Sequence, residues 1–114
     1  MAGSLKTNIA LTSAGSWLKV MGQGVRSLTA NDEYTASIQL QNRGSSKATA
    51  LVALVHGNAA PASDDVAGVM RPIEIDKDAI QPIDRIACEA GVTVWVKADQ
   101  IMNVWAFAQF NSTQ

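Results

Sequence analysis

The chain has 114 residues and a formal net charge of −1. That length is one domain by the usual prior, able to bury roughly 65% of its extended surface and so to form a core without staples. Charged residues are only 17% of the total, against about 25% in an average domain, and the scattered Lys and Arg exclude both an electrostatic footprint for nucleic acid and a polybasic face for a membrane.

The single cysteine, Cys88, excludes an intrachain disulfide. The opening "MAGSLKTNIALTSAGS" lacks the apolar core of a signal peptide, and no apolar run approaches the ~18 residues of a membrane span. The expectation is a soluble protein made and kept in a reducing cytoplasm, or assembled there into something larger. With 47% hydrophobic residues and so few charges, part of its surface is expected to be covered by something else, because a small monomer needs a charged coat to stay soluble.

Glycine, proline and asparagine punctuate the chain about every ten residues, and the stretches between are rich in Val, Ile, Leu, Thr and Ala. That spacing predicts an all-β, single-domain antiparallel β-sandwich or jelly-roll-like barrel of about eight strands over residues 1–114. Residues 1–8 read as a flexible N-terminal arm. "SWLKVM" at 16–21 reads as a short strand. "YTASIQLQ" at 34–41 alternates cleanly, with Tyr34, Ala36, Ile38 and Leu40 on one face. "KATALVALV" at 47–55 is apolar on both faces and reads as a strand covered on both sides. Residues 67–75 contain Pro72, which removes an amide donor and places them at a sheet edge. Residues 76–83 read as a loop.

The C-terminal segment "VTVWVKADQIMNVWAFAQF" at 92–110 reads as a hairpin. Cross-strand partners share a face, so the register that keeps like with like sets Trp95 opposite Trp105. One face is then Val and Ala, suited to the core. The other carries Trp95, Trp105 and Phe107, whose rings could each bury ~150–250 Å². The connecting loop, Asp99-Gln100-Ile101, lacks the glycine that three-residue hairpin loops usually want. Trp95, Trp105, Phe107 and Ile101 are the candidate interface residues, since exposed aromatics of this extent call for a cover. Aromatics that form part of the core, or a sugar-stacking platform with Thr93, Asn103 and Gln109 as polar partners, are the alternatives.

Nothing in the chain points to catalysis. His56 is the only histidine, and it sits at a strand end beside Gly57-Asn58. No G-x-S-x-G elbow is present. Cys88 reads as a small buried hydrophobe, and one His with one Cys cannot build a zinc site. Glu74, Asp76, Asp78 and Asp84 lack the D-x-D-x-D-G order of a calcium loop and read as solvated. "NST" at 111–113 fits a glycosylation acceptor only if the chain is secreted. No cofactor and no metal are expected.

Four segments in order carry a resemblance: "LTSAGSWLKV", "IQLQNRG", "APASDDVAGV" followed by Pro72, and "VTVWVKADQIMNVWAF". Across residues 10–110 this pattern resembles small β-sandwich virion proteins of tailed bacteriophages, the head decoration (cement) proteins and small tail-associated proteins. The resemblance implies a structural, non-enzymatic virion protein. It would self-associate, as a homotrimer in the simplest case, and would bind the major capsid protein through surface burial. A tail, fibre or baseplate component and a carbohydrate-binding module are the alternatives.

Overall fold

The computed structural model describes residues 4–26 and 28–110. Eight strands lie there: β1 (Ser4–Leu11), β2 (Leu18–Met21), β3 (Tyr34–Asn42), β4 (Ala48–His56), β5 (Ile73–Ile75), β6 (Ile80–Cys88), β7 (Val92–Ala98) and β8 (Met102–Phe110). They form two four-stranded sheets, in the orders β1-β8-β3-β6 and β2-β7-β4-β5, with antiparallel pairing throughout. Most consecutive strands lie in opposite sheets, and β4 and β5 are the one consecutive pair that is also hydrogen-bonded. This is the two-sheet order of a jelly roll, so the expected all-β sandwich is the observed fold.

The core follows from alternation, since successive strand side chains point to opposite faces. On β3, Tyr34, Ala36, Ile38, Leu40 and Asn42 are buried. On β7 the inner residues are Val92, Val94, Val96 and Ala98, and on β8 they are Met102, Val104, Ala106 and Ala108. These small side chains let the two sheets approach closely. Each buried valine adds about 1.5–3 kcal/mol relative to exposure.

Four readings of the sequence need correction. The largest concerns the hairpin. β7 and β8 do not pair; β7 runs between β2 and β4, and β8 between β1 and β3. The segment 99–101 is a corner that carries the chain from one sheet to the other. No residue in it takes the left-handed backbone that a tight hairpin loop needs, so the missing glycine has a physical reason. Trp95 lies beside Lys19 and Ala53, and Trp105 beside Ile9 and Gln39.

The second correction is at the N-terminus. Residues 4–8 belong to β1, which pairs along its length with β8. Leu5, Thr7, Ile9 and Leu11 alternate with the polar Lys6 and Asn8, a period-two pattern that fits a strand. Residues 1–3 lie outside the described residues, as does the glycosylation-like 111–113. Third, the loop expected at 76–83 ends early, because β6 begins at Ile80. Its Pro82 is tolerated because β6 is an edge strand. Fourth, of the strand expected at 67–75 only Ile73–Ile75 forms, at the sheet edge where Pro72 placed it.

Polar ties close the sandwich. Asn42 is fully buried; its Nδ2 donates to Ser46 O (2.8 Å) and Ile75 O (3.0 Å), and its Oδ1 accepts from Gly44 N (2.8 Å). It thereby joins β3 to β5 across the two sheets. Tyr34 does the same at the other end, donating its hydroxyl to Val92 O at 2.6 Å. Among the described residues every buried side-chain nitrogen and oxygen has a partner, as a stable interior requires.

Candidate functional site

The inner faces of both sheets form the core, so the broad surfaces left for contact are the outer faces. On the sheet containing β7, the outward residues of that strand are Thr93, Trp95 and Lys97. Trp95 Nε1 donates to Thr93 Oγ1 (2.7 Å), which donates to Gly57 O (2.8 Å). Lys97 Nζ pairs with Asp64 at 2.9 Å and lies 5.7 Å from the centre of the Trp17 ring. The segment 66–70 runs against β4: Met70 N donates to Val52 O (2.8 Å) and Leu54 N to Gly68 O (2.9 Å). Ala53, flanked in the sheet by Val69 of this segment and by Trp95, is fully buried although its side chain points outward. The doubly apolar β4 is thus buried on its inner side and only partly covered on its outer side, where Leu51 and Val55 are half-buried.

Gly68 is required where segment 66–70 pairs with β4. Its φ is +95°, and an added Cβ would overlap the Leu54 carbonyl oxygen. A left-handed backbone and this close approach both select glycine.

The sheet containing β8 has no such cover among the described residues. Its outward rows follow from the register. Ile9, Trp105 and Gln39 stand side by side, and so do Thr7, Phe107 and Ser37. Leu5, Gln109 and Thr35 form a third row, and Leu11, Asn103 and Gln41 a fourth. None of these side chains carries a charge. Trp105 and Phe107 are half-buried by their neighbours, while Leu5, Ile9 and Leu11 are 64%, 66% and 58% exposed. A shallow depression of about 580 Å³ lies between β1, β8, β3 and β6, lined by Leu5, Thr35, Ser37, Arg85, Phe107 and Gln109. The β1–β8–β3 part of this face, whose outward side chains carry no charge and include three large aliphatic side chains in water, is the candidate interface, with Arg85 of β6 at its border.

The predicted interface residues are thus divided. Trp105 and Phe107 lie together on the bare face. Trp95 lies on the opposite side of the molecule, tied to its own chain, and Ile101 sits in the corner between the sheets, 44% exposed. A single stacking platform of Trp95, Trp105 and Phe107 is ruled out by this division. The sequence reading missed Leu5, Ile9 and Leu11, although their odd-numbered spacing carries the signal.

The remaining candidates have structural surroundings. His56 Nε2 lies 3.0 Å from Glu89, and both side chains are exposed. Glu74 and Asp76 face Lys47 at 3.7 and 3.9 Å. Cys88 is buried beside Tyr34; burial pushes its thiol from the ordinary 9.0 up to about 11, opposed by the Tyr34 hydrogen bond. Burial, and secondarily Cys88, pushes the Tyr34 hydroxyl upward as well. Among the described residues no group of three or more His, Cys, Asp or Glu is placed to hold a metal ion.

No protein-family model matches the chain, and no curated protein matches it. Among solved structures, the coat protein of Tobacco streak virus aligns with a TM-score of 0.53 at 8% sequence identity, over 97% of this chain and 87% of that one. At that identity the likeness is one of fold: this chain is built like a viral coat protein.

Proposed function

We propose that the protein is a structural component of a virion, a capsid decoration protein of a tailed bacteriophage. It acts by surface burial and without catalysis, binding copies of itself and the major capsid protein. The observation that carries this reading is the uncharged outer face of β1, β8 and β3, with Leu5, Ile9 and Leu11 largely in water beside Trp105 and Phe107. Monomers rarely leave an apolar patch of this kind uncovered. The jelly-roll likeness to a plant-virus coat protein supports a place in a shell. So does the resemblance of the sequence to phage cement proteins.

A decoration protein needs broad contact repeated many times over a lattice, and no turnover. Closed or repeating symmetry lets one small patch serve every copy. The test is to assemble particles with and without the protein and compare their mass and heat stability. Bound copies in the hundreds and a raised temperature of genome release are expected. Unchanged particle mass and unchanged heat stability would overturn the proposal, and a handful of copies confined to the tail would move the protein there.

A further inference from the structure

The two edges of the β8 sheet are built differently. β6 is guarded. It carries Pro82, and Ser37 of β3 faces both Asp84 and Arg85 where the register shifts, with Arg85 at φ 59°. Proline, charge and a bulge are the devices that keep an edge from pairing with another chain. β1 has neither proline nor bulge, and its one charged residue, Lys6, alternates away from the outer face. It runs eight residues without proline or register shift, and its outward side chains are Leu5, Thr7, Ile9 and Leu11.

The direction of its backbone groups follows from one bond. Thr12 N donates to Met102 O at 2.9 Å, and that pair continues the β1–β8 register by one step. Bonded pairs alternate along an antiparallel ladder. Ala10, Asn8 and Lys6 therefore bond to β8, and Leu5, Thr7, Ile9 and Leu11 turn their N–H and C=O groups toward the open edge.

We propose that this edge pairs with β1 of a second copy, antiparallel about a two-fold axis at Asn8. The register sets Leu5 opposite Leu11 of the second copy and Thr7 opposite its Ile9. All four residues that face the edge are then paired in both copies. Moving the axis to Thr7 or Ile9 leaves one leucine of each copy without a partner. Lys6 falls opposite Ala10, which keeps the two like charges four residues, or about 13 Å, apart along the strands. The two faces join into one. Across the junction a row runs Trp105, Ile9, then Thr7 and Phe107 of the second copy, and the adjacent row runs in reverse.

The size of the contact sets its strength. A strip about 27 Å long and about 10 Å wide on each copy buries roughly 500–600 Å² in total, well under the ~1,200 Å² of a standard interface. The dimer is therefore weak when free and gains when copies are held side by side, through effective concentration. This contact deepens the assembly reading by naming its partner, yet it is measured on the isolated protein and stands or falls apart from any particle.

The experiment is sedimentation equilibrium from micromolar to millimolar protein. A monomer–dimer equilibrium is expected. Thr7→Pro removes an edge donor that β8 does not use, and should raise the dimer dissociation constant at least about tenfold while the circular dichroism spectrum is kept. Asn8→Cys provides a second arm, because directly opposed residues of a non-bonded pair lie about 4.5 Å apart at Cα, within reach of a disulfide. Mild oxidation should link Asn8→Cys into dimers and leave Lys6→Cys unlinked. A monomer at every concentration, a trimer in place of the dimer, or equal cross-linking of both cysteine variants would overturn the proposal.

Discussion

On β7 the outward residues are Thr93, Trp95 and Lys97; on β8 they are Asn103, Trp105, Phe107 and Gln109. The two strands share an inner pattern of valine and alanine, and each turns a tryptophan outward. Yet Trp95 bonds to Thr93 within a face bordered by Lys97, Asp64 and the segment 66–70, while Trp105 lies in a row of uncharged neighbours with Ile9 at the rim. An outward aromatic is thus tied to its own chain on one sheet and, on our proposal, a contact residue on the other. What separates them is their surroundings, a hydrogen bond and a nearby ion pair beside Trp95 and a row of uncharged side chains beside Trp105.

The contrast between inner and outer residues gives the largest expected effect. Val104→Asp places a charge in the fully buried core of β8 and should destabilise by more than about 4 kcal/mol, read as loss of the folded circular dichroism spectrum. Its neighbour Trp105→Asp should cost only about 1–2 kcal/mol and abolish attachment to particles. If Trp105→Asp also unfolds the chain, the β8 face is core and the contrast between the faces is broken.

Weakening the edge pairing beside β4 comes next. Gly68→Ala forces a Cβ against the Leu54 carbonyl and strains a backbone at φ +95°, for an expected loss of about 2 kcal/mol in urea unfolding. Particle binding should be unchanged, because this segment belongs to the sheet away from Trp105 and Phe107.

The interior shared by both faces responds to alkali. The Cys88 thiol is held neutral by burial, from 9.0 up to about 11, so the folded state keeps its proton where the unfolded chain has lost it. Stability from this group is full below pH 9.0 and is lost as pH rises toward about 11. The loss is on the order of 2 kcal/mol, to which Tyr34 adds in the same direction. Urea midpoints measured on either side of this window should fall with pH, and Cys88→Ala should flatten the fall.

The smallest effect sharpens the roles of the two tryptophans. Trp95→Phe removes the donor to Thr93 Oγ1 and should cost about 1 kcal/mol with no change in assembly. A loss of particle binding in Trp95→Phe would place a contact on the face where Trp95 is tied to its own chain.

Much of the fold was legible. The alternation of Tyr34–Asn42, the doubly apolar β4 and the Val/Ala inner faces of β7 and β8 all follow from residue spacing. The partners of β7 and β8 did not follow, because period two states which side of a strand faces the core and is silent on which strand lies beside it. Asp99-Gln100-Ile101 held the one local clue, a loop without glycine. Two of the five large residues of the candidate interface were legible too. Trp105 and Phe107 announce themselves by size, whereas Leu5, Ile9 and Leu11 gain meaning only once β1 is seen docked beside β8.

By itself the sequence determined the all-β class, the buried face of each central strand and the absence of a charged coat, since these depend on side-chain chemistry and on neighbours close along the chain. Only the tertiary structure decided that Trp95 and Trp105 stand on opposite sides of the molecule and that β1 is the end strand of its sheet. Those outcomes rest on pairings between residues about a hundred positions apart, such as Leu5 with Gln109, and no local pattern encodes them.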